Sequence, residues 1–344
     1  MALLDVDNLQ VSFPTPDGVV QAVRGLSLRV DSGQTLGVVG ESGSGKSVST
    51  QTIMGLTRGA RVQGQALFEG RDLLTLNTDQ LRKIRGPKIG MIFQDPLSSL
   101  HPYYRVGWQI VEMIREHDHD MSKAQARARA VELLRLVGIP QADRRVDEYP
   151  HQFSGGMRQR AMIAMAIALN PALLIADEPT TALDVTVQAQ VLQVIKRLQD
   201  EFGMALILIT HDLGVIADVA DNVIVMYAGT VMEKADRRTT FYANHHPYTE
   251  GLLESMPAYG GGERERLRPI PGQPPSLIAL PPGCPFHPRC PYVMDRCRTE
   301  VPALGAVGSD PAHLSACFLP HDPAARDQLR RKVIGEPLPT PAER

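Results

Sequence analysis

The sequence predicts an α/β protein. Its core is a mostly parallel, doubly wound sheet, with an antiparallel β subdomain before it, a helical subdomain inserted into it and a small cysteine-containing appendage after it. Three observations point there. Short apolar runs of strand length alternate with helical patterns. A glycine-rich stretch, Gly40–Ser47, lies between one such strand and the helix that follows. Residues 1–283 contain no cysteine, whereas Cys284, Cys290, Cys297 and Cys317 share one C-terminal window.

From Leu3 to about Val30 apolar and polar residues alternate, and Pro14, Pro16, Asp17 and Gly18 break the run, which reads as antiparallel strands. Thr35–Val39 is a continuous apolar run of the kind buried in a parallel sheet, and a helix from about Lys46 to Gly55 follows it. Lys88–Phe93, Leu173–Ala176, Ala205–Ile209 and Val223–Met226 read as further buried strands. Between Gln94 and Tyr149 the character changes. Ala130, Leu133, Leu134 and Val137 recur at helical spacing, which predicts a helical insertion. After Gly251, Pro, Gly and Arg dominate Pro257–Pro288, giving a linker and then a loop-rich segment. The expected division is therefore a main domain over 1–250, with its helical part at about 95–160, and an extension over 251–344.

Composition narrows the function. Of the 344 residues 43% are hydrophobic and 22% charged, ordinary for a globular protein, and the net charge of −2 argues against a dedicated nucleic-acid binder. Arg264, Arg266 and Arg268 alternate with Glu263 and Glu265, so that run reads as a solvated face. No apolar run reaches the roughly 18 residues that span a bilayer, and the N-terminus has no basic region of a secretory signal. The expectation is a cytosolic protein, bound to a membrane only through partners.

Gly40-Glu41-Ser42-Gly43-Ser44-Gly45-Lys46-Ser47 matches the phosphate-loop pattern G-x-x-x-x-G-K-[ST] in full and in the required strand–loop–helix context. The glycines let the backbone turn its N–H groups toward phosphates, and the following helix, which runs on through Val48, adds its positive end. Lys46 can reach the β- and γ-phosphates and Ser47 can ligate Mg²⁺. Leu173–Ala176 then ends in Asp177-Glu178: a carboxylate to hold Mg²⁺ through water and a second one, Glu178, to act as general base on an attacking water. This is the sheet core of a P-loop NTPase.

Further segments resemble the ATP-binding subunits of ABC transporters. Ser154-Gly155-Gly156-Met157-Arg158-Gln159 is similar to the family's signature motif, though Phe153 and Met157 stand where Leu and Gln are usual. Ala182-Leu183-Asp184 looks like the D-loop, Gln94 like the Q-loop glutamine, also an Mg²⁺ ligand, His211 like the switch histidine and Phe13 like the aromatic that stacks on adenine. Within the family, Phe93–Leu100, Tyr149–Gln152, Asp177–Thr186 and His246–Thr249 resemble the oligopeptide/dipeptide importer ATPases, most of all the D-type dipeptide-permease group; His101-Pro102 replaces the usual Asn-Pro.

The resemblance implies an ATPase that powers solute import, most readily of di- or oligopeptides, with nickel or glutathione as alternatives. It places the chain on the cytoplasmic face of the cell membrane. It implies a second ATPase subunit, a paralogue or a second copy, whose ATP meets Ser154, Gly155, Gly156 and Gln159, with Asp184 nearby. Two permeases and an extracytoplasmic solute-binding protein complete the set. A soluble ABC ATPase acting on nucleic acid or the ribosome fits less well, because only one ATPase domain is present.

The cysteine spacing C-x5-C-x6-C-x19-C is not that of common zinc ribbons. Four clustered thiols in a reducing compartment suit zinc or an iron–sulfur site, with free or disulfide-bonded cysteines as the remaining reading, and the D-type resemblance implies [4Fe–4S], with Zn²⁺ as the alternative. His287 and His313 fall among them and are expected at the surface.

Overall fold

The computed structural model describes residues 2–95, 99–181, 183–256 and 269–319. The expected basic run at 264–268, the D-loop's Ala182, Pro96, Leu97 and Ser98 of the Q-loop stretch, and the tail from residue 320 lie outside the described residues.

Two long strands, β1 (Leu4–Thr15) and β2 (Gly18–Val30), form the foreseen antiparallel hairpin. Two strands not read from the sequence, β4 (Arg61–Phe68) and β5 (Arg71–Asp72), extend it into a four-stranded sheet of order β2-β1-β4-β5. Only the end of β4 is buried, so its polar residues hide the alternation that would reveal it.

The main sheet has the order β11-β12-β10-β9-β3-β8-β7-β6. At its centre β3 (Thr35–Val39), β7 (Leu173–Asp177) and β8 (Ala205–Thr210) are buried at every residue, flanked by β6 (Ile89–Ile92) and β9 (Asn222–Tyr227), and these five run parallel. Alternate residues serve opposite faces, as the strand pleat dictates. Leu173 and Ile175 pack with the antiparallel sheet, whereas Leu174 and Ala176 join the core under the helices. That second core includes the inserted helices α3 (Val106–His117), α4 (Lys123–Leu136), α5 (Ala142–Arg145) and α6 (Gly155–Ala166). Ser122 and Gln125 close a reciprocal capping box at the start of α4.

The C-terminal segment is less separate than an appendage. Its hairpin, β11 (Gly305–Val307) and β12 (Asp310–Ser315), pairs with β10 (Thr230–Asp236) through Glu233↔Ser315 and Lys234↔Leu314, and so continues the main sheet. Cys284, Phe286 and Cys297 belong to the helix-side core. His313, expected at the surface, is instead buried, its Nε2 2.7 Å from Glu233 Oε1. Glu233 is 0% exposed and also accepts the backbone N–H groups of His245 and His246 at 2.5 and 3.1 Å. Burial alone would raise its pKa; the bonds from His313 and His245 prevail and hold it below the usual carboxylate range.

A carboxylate with a depressed folded pKa stabilises above its unfolded pKa and loses that contribution as pH falls through the folded value. Thermal melts should therefore show stability falling as pH drops through and below about 4.3, the ordinary Glu pKa. Glu233→Gln should remove that part of the pH dependence and cost about 3 kcal/mol at neutral pH.

Candidate functional site

The site forms where four adjacent parallel strands end. In the order β3-β8-β7-β6, the carboxyl ends carry the phosphate loop, His211, Asp177-Glu178 and Gln94 in turn. Ligands of open α/β sheets bind at this edge.

The loop Gly40–Ser47 leads into α1 (Lys46–Ile53). Gly40, Gly43 and Gly45 have φ of 150°, 78° and 97°, the left-handed range that favours glycine. A Cβ on Gly40 would strike the Met226 carbonyl oxygen, and one on Gly45 that of Ala22. The Gly229 N–H donates to Ser44 O at 3.0 Å, so β2 and the β9–β10 turn support the loop from behind. Lys46 is 4% exposed, and its Nζ donates to Gly40 O at 2.7 Å and Glu41 O at 3.0 Å. Burial lowers its pKa, opposed by Glu178, Asp177 and Glu41. A desolvated ammonium of this kind gains from an anion beside it.

Ser47 Oγ donates to Asp177 Oδ1 at 2.7 Å. Burial raises the Asp177 pKa, against the pull of Ser47 and then of Lys46. A hydroxyl and a carboxylate meeting beside the loop are hard oxygen donors that fit Mg²⁺.

Three of the expected residues meet at one oxygen. Glu178 Oε2 accepts from Gln94 Nε2 at 3.1 Å and lies 3.6 Å from His211 Nδ1. Thr181 Oγ1, which the sequence reading did not single out, donates to it at 2.8 Å. Glu178 has φ 47° and its N–H is held by Ile209 O at 2.9 Å. A non-glycine residue in that region is strained, and such strain gathers at functional sites.

The signature segment stands elsewhere. Ser154 caps α6 by accepting the Met157 N–H; Ser154 and Gly155 are exposed. Added to Gly156, a Cβ would lie 2.7 Å from Val187 Cγ1 of α7 (Val185–Phe202), whose N-cap is Asp184. No hydrogen bond among the described residues joins Ser154–Gly156 to the phosphate loop. Gln159 is buried on the inner side of α6, away from the exposed Ser154 end. Phe13 is half-buried on β1 against the antiparallel-sheet core, and Val48 on α1 likewise.

A model of the ABC transporter family matches residues 23–181, and one of the oligopeptide/dipeptide transporter C-terminal region matches 232–297. The oligopeptide transport ATP-binding protein OppD of Escherichia coli (strain K12) is 51% identical over 93% of this chain and 94% of its own length. The chain belongs to the oligopeptide/dipeptide family of ABC transporter ATP-binding proteins. Another relative of this ABC ATPase, the dipeptide transport ATP-binding protein DppD of the same strain, is 49% identical over 96% of the chain and all of that protein. A dimeric ATP-binding cassette solved in a post-hydrolysis state with ADP and Pi superposes with a TM-score of 0.62 at 29% identity, covering 68% of this chain and 99% of that one.

One expectation for this ABC ATPase is overturned. Cys284, Cys290, Cys297 and Cys317 do converge, lining a cavity of about 10 Å³ with Phe286, Tyr292 and others. Among the described residues, however, no group of three or more His, Cys, Asp or Glu side chains is set to hold a metal ion, so neither the iron–sulfur nor the zinc reading stands. Burial pushes the Cys284 and Cys290 thiols up, whereas metal ligation needs thiolates. Packed among aromatic rings, the thiols act as small apolar side chains.

The sequence reading also missed residues that hold the phosphate loop from the C-terminal side. Arg289 Nη1 and Nη2 donate to Glu41 Oε2 at 2.6 Å and Oε1 at 3.0 Å. The Glu41 N–H donates to Tyr248 Oη at 2.8 Å. Tyr248 lies in the quoted His246–Thr249 stretch; nothing in the sequence marks Arg289, 248 residues from its partner.

Proposed function

We propose that this chain powers import of di- or oligopeptides by hydrolysing ATP on the cytoplasmic face of a membrane. The observation that carries the chemistry is the Glu178 carboxylate, with Gln94, Thr181 and His211 around one oxygen and Lys46 and Asp177 beside it. The solute class rests on the relatives' names, oligopeptide and dipeptide transport proteins.

In this reading the Gly43–Ser47 backbone cradles the triphosphate and Lys46 exchanges its loop carbonyls for the β- and γ-phosphates. Ser47, Asp177 and Gln94 would hold Mg²⁺, which neutralises phosphate charge when bound. Glu178 takes a proton from the attacking water, while Gln94 and His211 orient it. Phe13 stacks on adenine. The exposed Ser154 and Gly155 and the half-buried Gly156, with Asp184, meet the nucleotide of a second ATPase subunit; among the described residues Ser154, Gly155 and Gly156 make no hydrogen bond to this chain's own loop. The dimeric assembly of the superposable cassette supports that arrangement. Gln159 faces inward and takes no part in it.

The partners are that second ATPase, two permeases and a solute-binding protein. No helix among the described residues is long and apolar enough to cross a membrane. In this reading contact with the bilayer runs through the permeases. A groove of about 650 Å³, lined by Met54, Met91, Phe93, Met113, Met162 and Met165, opens where the helical part meets the sheet. On α3 and just before it, Tyr103, Tyr104 and Trp108 are exposed, with Tyr104 stacked on Trp108 at 4.4 Å. Adaptable methionines and exposed rings suit a protein partner. Residues 1–250 form the ATPase domain and 251–344 the extension.

The test is dependence on assembly. ATP hydrolysis by the purified chain should be about 100-fold below that of the complex, because half of each site's donors are missing. Adding the second ATPase and the permeases should restore it; full activity from a monomer in light scattering contradicts the reading.

A further inference from the structure

Glu41 is an odd residue to find in a loop that cradles a polyanion. Its backbone carbonyl accepts Lys46 Nζ at 3.0 Å, and its carboxylate works against the burial that lowers that lysine's pKa, so its charge lies within electrostatic reach of the phosphates Lys46 would bind. Left alone, it would repel them.

It is not alone. Arg289 grips both carboxylate oxygens in a two-pronged ion pair, and its side chain is only 4% exposed. The rest of the guanidinium is committed to the fold. Nε donates to Pro271 O at 2.9 Å, Nη1 to Tyr227 Oη at 3.3 Å, and the group lies 5.7 Å from the centre of the Tyr227 ring. Residue 41 is pinned through its backbone too: its N–H goes to Tyr248 Oη and its carbonyl receives Lys46 Nζ. Tyr248 is 0% exposed and packs against Tyr227 and Phe286. Every polar group of Glu41 is thus engaged, and Tyr248 and Arg289 come from the C-terminal side of the chain.

We propose that Arg289 is a positioning residue for ATP: it neutralises and fixes Glu41, so that the C-terminal extension sets the affinity of the phosphate loop. This rests on the placing of ATP in that loop. A planar, permanently charged fork suits the task, since it stays ionised when buried and matches a carboxylate at two points. The extension thereby does more than continue the sheet.

The experiment measures MgATP affinity by calorimetric titration of the full-length chain, with thermal melts alongside. Arg289→Gln should weaken MgATP binding by about tenfold or more, because a carboxylate then stands uncompensated at the loop. Arg289→Lys keeps the charge but loses the fork and should fall between. The deciding variant is Arg289→Gln with Glu41→Gln. With the negative charge gone, its affinity should return to within about threefold of wild type. A purely structural Arg289 would leave the double variant as weak as the single one, and that overturns the proposal, as does wild-type affinity in Arg289→Gln. Should Arg289→Gln fail to fold, the Lys variant and the double variant still decide: a Lys variant indistinguishable from wild type, with a double variant weaker than it, counts against the proposal. Lys46→Ala is the separate control. If it binds MgATP normally, the placing of ATP itself is wrong, and both readings fall.

Discussion

Glu178→Gln should lower ATP hydrolysis by the assembled transporter by about 100-fold or more, while MgATP still binds. Glutamine keeps the size of the side chain and can still face Gln94, Thr181 and His211, but it cannot take a proton from water. The phosphate loop, Lys46 and the Ser47–Asp177 pair are untouched, so the binding arm of the experiment should change little. The strained backbone at Glu178, φ 47°, is held by the Ile209 carbonyl and does not depend on the carboxylate. Steady-state hydrolysis and nucleotide titration on the same preparation check both halves. Turnover near wild type would remove Glu178 from the role of base.

Gly40→Ala should damage the loop itself. Gly40 sits at φ 150°, outside the range that L residues readily adopt, and a methyl group there would press on the Met226 carbonyl of a central strand and come within 2.8 Å of Ser44 Oγ. Backbone strain and overpacking together should cost about 3 kcal/mol of stability. Any relief moves the residue that precedes Glu41 and whose carbonyl receives Lys46, so MgATP affinity should fall by about tenfold or more even in the folded fraction. Thermal melts and nucleotide titration separate the two effects. Alanine at Gly43, where an added Cβ meets nothing within 4 Å, should be milder on stability.

The parts of this protein legible in sequence were those whose chemistry is local. Thr35–Val39, Leu173–Asp177 and Ala205–Thr210 are buried on both faces and read as unbroken apolar runs. The phosphate loop is a contiguous pattern, and a contiguous pattern between strand and helix fixes its own geometry. Glu178 could be named because it follows Asp177 at a strand end, and Gln94 and His211 only through their resemblance to the family's Q-loop and switch residues; the strand order then brings all three to one oxygen. What escaped the sequence was long-range or dilute. Most of β4 is exposed and polar, so it carries no period-2 signal. Arg289 and Glu41 are ordinary charged residues until the fold joins them. His313 looked like a surface residue because burial of a histidine depends on a partner, Glu233, 80 positions away. The cysteines misled for a related reason: clustering in sequence predicted proximity correctly, but their surroundings are apolar and do not favour thiolates.

The central claim is that ATP hydrolysis at this site drives peptide movement across a membrane. Its most direct test is uptake of a labelled di- or oligopeptide by vesicles bearing the reconstituted transporter, with solute-binding protein and MgATP supplied on their proper sides. The account predicts uptake that requires ATP on the face carrying this subunit and that disappears when the subunit carries Glu178→Gln. Peptide uptake that continues with that variant as the transporter's copy of this chain, at the rate of the wild type, would contradict it.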